Sequence, residues 1–165
     1  MISESEIKKK IKDTARKLNA DYNGKNPILI GVLKGSFIFL ADLTRLMDID
    51  HEIDLIAASS YEGTESTGKV QFTKEPDLAV RNRHIILVED IVDTGRTIVA
   101  LKKHMESLEA ESVKICTLID KHERRETRIN VDYSCFTLEK GFIVGYGLDY
   151  NERFRYLPEI YDLKL

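Results

Sequence analysis

The run Val88-Glu89-Asp90-Ile91-Val92-Asp93-Thr94-Gly95-Arg96-Thr97 concentrates groups able to do chemistry. The apolar stretch Ile85-Ile86-Leu87-Val88 stops at two consecutive carboxylates, and Asp93 follows just before a helical period starts at Ile98. Neighbouring positions on a strand face opposite ways, so at most one of Glu89 and Asp90 is expected to face any single ligand atom. From Asp93 to Thr97 the chain offers backbone N–H groups, hydroxyls and a permissive glycine where a helix begins. Such a helix head attracts anions through its unpaired amides and its dipole. The dipole contributes only ~0.3–1 kcal/mol, so convergent hydrogen bonds must supply most of the grip. The run is not a Walker A loop, because GxxxxGK[ST] is absent, and Gly145-Tyr146-Gly147 leads into Leu148-Asp149 rather than a dinucleotide-binding helix. A pocket this short suits one phosphate, with the flanking acids available to sugar hydroxyls or to a metal's water shell. A plainer reading also stands, in which these acids solvate a strand end and cap a helix.

Elements that could position this run are legible on either side of it. Ser3 and Glu6 have capping-box spacing, and Ile7, Ile11, Ala15 and Leu18 continue as an amphipathic helix. Ile28 to Leu33 reads as a strand buried on both faces, and Phe37, Leu40, Ala41 and Thr44 follow with helical period. Ile53, Leu55 and Ala57 alternate as the inward side of a half-buried strand. Ile98, Leu101, Met105 and Leu108 mark a helix, and Val113 to Ile119 a further buried strand. Strand, helix, strand at this spacing predicts an α/β fold, a mostly parallel twisted sheet flanked by helices. Tyr133 to Phe136 and Phe142 to Tyr146 read as shorter strands of a small C-terminal hood. The expected organisation is one domain over 1–165, with a core at about 20–135 and a hood from N-terminal residues and about 136–165. Ligands of such sheets sit at the carboxyl ends of the strands, which here means residues 34–36, 89–97 and 120–125, one composite site.

Composition narrows the class. A chain of 165 residues that is 42% hydrophobic and 32% charged fits a single folded domain. The formal net charge of −3 argues against a nucleic-acid partner. No apolar run approaches the ~18 residues of a membrane span, and the N-terminus lacks a signal-peptide core, so no membrane partner is expected. Cys116 and Cys135 lie in apolar stretches, as reduced core thiols of a cytoplasmic protein would.

The run from Glu89 to Thr97 resembles the phosphoribosyl diphosphate-binding signature of the type I phosphoribosyltransferases. With Leu33-Lys34-Gly35-Ser36, Ser60-Tyr61, Lys121 and Phe142-Ile143-Val144-Gly145-Tyr146-Gly147-Leu148-Asp149-Tyr150, the chain is similar to the hypoxanthine-guanine branch of that family. The likeness runs in order from about Pro27 to the C-terminus. It implies purine salvage: transfer of a phosphoribosyl group to hypoxanthine or guanine, giving IMP or GMP and pyrophosphate, with Mg²⁺ as cofactor. It also implies a homodimer or homotetramer.

By the same resemblance, Glu89, Asp90, Asp93, Thr94, Gly95, Arg96 and Thr97 hold the 5′-phosphate and ribose, and Asp93 is the general base toward the purine N7 proton. Lys34, Gly35 and Arg155 would bind pyrophosphate, with a cis peptide between Leu33 and Lys34. Glu89, Asp90 and Asp149 would surround the metal. Phe142 would stack on the purine, Ile143 would offer its backbone, and Asp149 would border the base. Lys121 would donate to the 6-oxo group, a role that suits an ammonium because it has donors and no acceptor. Residues 59–68 would form a lid with Ser60 and Tyr61 at its tip. The chain departs from the bacterial pattern at His122 and Glu139, where proline is common, and at Gly141, where a polar residue is common. Two other classes stay open at this level: a receiver-like signalling domain with Asp93 as phosphoacceptor, and a nucleotide-sensing regulator of the same fold.

Overall fold

Helix α1 (Glu4–Tyr22) starts where the Ser3 hydroxyl accepts the Glu6 N–H at 3.4 Å and the Glu6 carboxylate accepts the Ser3 N–H at 2.9 Å, a complete capping box. Its buried face is Ile7, Ile11, Ala15 and Leu18, each at most 1% exposed. The computed structural model describes residues 1–60 and 70–164, without the side chains of Ser59 and Ser60. After α1 come β1 (Ile28–Leu33), α2 (Phe37–Arg45), β2 (Glu52–Ser60), β3 (Val70–Lys74), β4 (His84–Val92), α3 (Arg96–Ser107), β5 (Ser112–Lys121) and β6 (Tyr133–Leu138). Two short strands, β7 (Ile143–Val144) and β8 (Tyr161–Asp162), close the chain.

The main sheet has the order β3-β2-β1-β4-β5-β6 and is parallel except for the antiparallel β2–β3 pair. Alternation along its strands builds a core on each face. Leu29, Ile86, Val88, Cys116 and Leu118 pack with α1 and α2, whereas Ile28, Ile30, Ile85, Leu87 and Ile115 pack with α3. The chain leaves β1 toward β2 on one side and returns as β4 on the other. Diverging connections leave a crevice at the carboxyl ends of β1 and β4, the switch point where ligands of open α/β sheets bind. The hood is the antiparallel β7–β8 pair, joined by the N-terminus through the Ile2–Ile160 bridge.

Three expectations are corrected. Strand β6 is the sixth strand of the main sheet, parallel to β5, so Tyr133–Phe136 belongs to the core and not to the hood. Along β2 the buried residues are Asp54 and Ile56; of the expected set, Leu55 is half-buried against the core shared with α1 and α2, while Ile53 is exposed. Asp54 accepts the Leu78 N–H at 2.8 Å, which lets a carboxylate occupy a buried position. In α2 the buried face is Phe39, Leu40 and Leu43, with Phe37 turned outward.

Candidate active site

Strand β4 hands the chain to α3 through Asp93, Thr94 and Gly95. Gly95 has a left-handed φ of +83°, and a Cβ there would fall 2.2 Å from the Thr127 hydroxyl, so glycine alone fits. The Thr94 carbonyl turns away from the helix and accepts the Glu126 and Thr127 N–H groups at 3.0 and 3.3 Å. The Arg96 N–H is taken by the Thr94 hydroxyl at 3.3 Å. That leaves the next amides of the helix head, at Thr97 and Ile98, without a carbonyl behind them.

These groups border a cavity of about 300 Å³ over the switch point. Lys34, Gly35, Glu89, Asp90, Asp93, Thr94, Gly95, Thr97, Asp149 and Arg155 all line it. Glu89 and Asp90 both border this one cavity, which leaves open the expectation that at most one of them faces any single ligand atom. A Cβ on Gly35 would fall 1.7 Å from Asp90 Oδ2, so the Lys34-Gly35 turn passes directly over that carboxylate. The Leu33–Lys34 peptide is cis, as the resemblance implies. Burial, and next the charge of Asp90, hold the Glu89 carboxyl well above its usual range; burial raises Asp90 too. Arg96 does not line the cavity: its guanidinium pairs with Glu126 at 2.5 Å.

A second cavity of about 490 Å³ adjoins the first and shares Asp90, Ile91, Asp93 and Asp149 with it. Its other walls include Lys121 from the end of β5, Glu123 and Arg124 from the loop beyond, and Gly141, Phe142 and Ile143 from the entry to the hood. Lys121 is buried, with its ammonium 3.2 Å from Glu123. Phe142 is 40% exposed and meets Tyr150 edge-on, with ring centroids 5.5 Å apart. Such an uncovered ring face at a cavity is available for stacking.

Asp93 stands at the junction of the two cavities. Its Oδ1 is buried and has no hydrogen-bond partner within the protein, while Oδ2 lies 3.6 Å from Arg124. Among the described residues, the one other buried side-chain polar atom in this state is Nε of Arg155, which lines the first cavity. A buried acceptor and a buried donor left unpaired at one cavity are what a ligand with complementary charge satisfies. Arg155 otherwise pairs with Asp149 at 2.8 Å and donates to the Gly147 carbonyl at 2.8 Å. Lys34 pairs with Glu152 at 3.1 Å. Of the expected lid, Ser60 ends β2 and Tyr61 lies outside the described residues.

No three His, Cys, Asp or Glu side chains among the described residues gather closely enough to hold a metal by themselves. Glu89, Asp90 and Asp149 nevertheless line one cavity. Mg²⁺ commonly takes one or two carboxylates, with waters and substrate phosphates completing its shell. This all-oxygen set fits a cation that arrives with a diphosphate.

Sequence reasoning gave no role to Arg125. Its guanidinium donates to the carbonyls of Asp93 at 2.9 Å, Val92 at 2.8 Å and Lys121 at 2.9 Å, and pairs with Asp120 at 2.5 Å. One side chain thus ties the β4–α3 turn to the end of β5. Its place in the charged 120–125 cluster was the available signal. Two of the departures, His122 and Glu139, meet: His122 lies 3.2 Å from Asp120 and 3.6 Å from Glu139.

Comparison with known proteins agrees with this geometry. Residues 2–151 match the phosphoribosyl transferase domain model. A hypoxanthine-guanine phosphoribosyltransferase of Streptococcus pneumoniae is 46% identical over 165 residues, covering 99% of this chain and 92% of the relative. The crystal structure of a hypoxanthine-guanine phosphoribosyltransferase from Bacillus anthracis, with a HEPES molecule in its active site, superposes with a TM-score of 0.94 at 42% identity, covering 99% of this chain and 97% of that one. A hypoxanthine phosphoribosyltransferase from Staphylococcus aureus gives a TM-score of 0.95 at 39% identity, covering 99% and 90%. A strand-end anion pocket, a shared carboxylate and an adjoining aromatic cavity thus sit on a chain that belongs to the hypoxanthine-guanine phosphoribosyltransferases of the phosphoribosyl transferase domain family.

Proposed function

We propose that this chain transfers the phosphoribosyl group of 5-phosphoribosyl 1-diphosphate to hypoxanthine and guanine, giving IMP or GMP and pyrophosphate, in cytoplasmic purine salvage. The observation that carries this reading is the unpaired, buried Asp93 Oδ1 at the seam between the two cavities. A base standing in the larger cavity and a sugar phosphate in the smaller one would meet beside that carboxylate. N9 of the base then bonds to C1′ of the ribose, the bond from C1′ to the diphosphate oxygen breaks, and the N7 proton passes to Asp93.

The sugar carbon gains positive charge as a strongly anionic group departs, so the protein must stabilise both ends of the transfer. The helix-head amides of Thr97 and Ile98, with the Thr94 and Thr97 hydroxyls, hold the 5′-phosphate. Lys34, the Gly35 turn and Arg155 receive the pyrophosphate. For Arg155 this means exchanging its Asp149 contact, at least in part, for the diphosphate. Glu89, Asp90 and Asp149 would hold Mg²⁺, which when bound would neutralise diphosphate charge. Lys121 donates to the 6-oxo group, and Phe142 stacks on the ring. The free, buried thiols of Cys116 and Cys135 are in keeping with a reducing compartment. With relatives named as transferases, neither the sensor nor the receiver-like reading is favoured.

The test is a panel of bases incubated with phosphoribosyl diphosphate and Mg²⁺. Hypoxanthine and guanine are expected to give their monophosphates, and a chelator to stop the reaction. Adenine turnover at a comparable rate would remove the role given to Lys121, and no turnover of any 6-oxopurine would remove the function.

A further inference from the structure

The two cations given to pyrophosphate share an anion of the chain itself. Oε2 of Glu152 lies 3.1 Å from the Lys34 ammonium and 3.4 Å from Nη2 of Arg155, so one carboxylate oxygen bridges both. Lys34 and Arg155 line the first cavity; Glu152 does not, and reaches them from the loop between β7 and β8. The backbone there is tied down. Asp149 Oδ2 accepts the Glu152 N–H at 2.9 Å, and Tyr150 and Arg153 exchange backbone hydrogen bonds around it, each of 3.1 Å. The side chains of Glu152 and Lys34 are 64% and 68% exposed, so water can replace either partner. The hydrogen bond from Lys34 holds the Glu152 carboxyl below its usual range, so it is ionised at neutral pH.

A carboxylate oxygen and a phosphate oxygen ask the same of a cation, opposite charge and a donated hydrogen bond. A diphosphate that recruits Lys34 and Arg155 therefore draws on donors that Glu152 already engages, and brings a second anion beside an ionised one. Exposed ion pairs are weak, which is what lets this one be given up. We infer that Glu152 is a positioning residue: it holds Lys34 and Arg155 together as a diphosphate oxygen would, and competes with the diphosphate for them. The inference rests on the pyrophosphate role proposed for those two cations. It adds an internal competitor, which keeps the grip on the leaving pyrophosphate loose. The apparent affinity becomes the intrinsic one multiplied by the fraction of molecules whose cations are not engaged by Glu152.

The rival role is support, in which Lys34 uses its three donors to keep Glu152 while it binds the diphosphate. The two roles predict opposite signs. Glu152→Gln keeps the size of the side chain and removes its charge, and Glu152→Ala removes the contact altogether. Titration calorimetry measures the binding of inorganic pyrophosphate with Mg²⁺ to the wild type and both variants. IMP, which carries no diphosphate, is the reference ligand. Both variants are expected to bind pyrophosphate about threefold to fivefold more tightly, the scale of one exposed ion pair, while IMP affinity stays unchanged. Weaker or unchanged pyrophosphate binding overturns the inference and leaves Glu152 a support or a bystander. An equal gain for IMP overturns it too, because losing one negative charge would then have raised affinity for any anion. A wild-type protein that binds neither pyrophosphate nor IMP instead overturns the function on which the inference rests.

Discussion

The proposed phosphate-side and base-side cavities are built from different materials, although Asp90, Ile91, Asp93 and Asp149 belong to both. The phosphate side takes most of its groups from continuous chain: the end of β4, the Thr94-Gly95 turn, the first amides of α3 and the Lys34-Gly35 turn. The base side is assembled from the last residue of β5, the loop after it and the entry to the hood, which meet only in the folded chain. Backbone amides at a helix head are held by the helix itself, and their geometry does not depend on which side chains surround them. A base pocket made of side chains on separate elements can change its preference by single substitutions while the anion grip stays as it was. On the roles proposed above, affinity for the sugar phosphate would belong to the fold and choice of base to a few side chains.

The most severe way to break this division is to remove the residue that joins its halves. Arg125→Leu would leave the Asp120 carboxylate without its closest cation and free the carbonyls of Val92, Asp93 and Lys121. Both partners of this pair are under one-fifth exposed, so the loss is expected to reach about 3 kcal/mol, the scale of a broken buried ion pair. Urea denaturation at constant pH measures it. The KM values for base and for diphosphate should both rise, because the clamp sets the spacing of β4 and β5. A rise in only one of them would show that the two cavities are positioned independently.

Asp93→Asn sharpens the comparison at the seam. It keeps the shape of the side chain and removes the proton acceptor, so turnover is expected to fall roughly 10²-fold. Affinity for the sugar phosphate should stay close to that of the wild type, since helix-head amides supply that grip. Single-turnover kinetics separates the two quantities. A full rate with the asparagine would reduce Asp93 to a turn residue.

The same contrast explains which features were legible in the sequence. Capping box, buried-strand runs and helix-head signature are local patterns, and each appears where its spacing placed it. Alternation along β2 was visible but its phase was not: both residue sets contain apolar side chains, and the distant N–H of Leu78, which satisfies the buried Asp54, leaves no mark in the local pattern. β6 read as a hood strand because its short stretch carries no mark of the neighbour with which it pairs. In the candidate site, Arg96 belongs to the signature by position, yet its guanidinium turns to Glu126, a partner 30 positions further along the chain. Arg125 fell within the 120–125 stretch but its role went unread for the converse reason: its targets are mostly backbone carbonyls, which leave no trace in residue type. Positions set by the chain's own periodicity can be read; positions set by what meets them in space cannot.

The finest test of the division replaces one group on each side and compares the two effects. Thr97→Ala removes one hydroxyl from an anion site that keeps its amides, so the KM for phosphoribosyl diphosphate should rise about fivefold, the worth of roughly 1 kcal/mol. The KM for the base should not follow. Phe142→Leu is the counterpart. The leucine keeps apolar contact with the cavity but not the flat face, and the ring already stands 40% exposed, so little packing is lost from the core. Stacking adds ~0.5–1.5 kcal/mol beyond area, which predicts a rise in base KM of about threefold to tenfold. Because the Phe142 ring meets Tyr150 edge-on, the neighbour can follow the smaller side chain and soften the loss, placing the effect toward the lower end of that range. The diphosphate KM should be untouched. If each substitution instead raised both constants together, the cavities would be one cooperative site, and the separation of grip from choice would have to be abandoned.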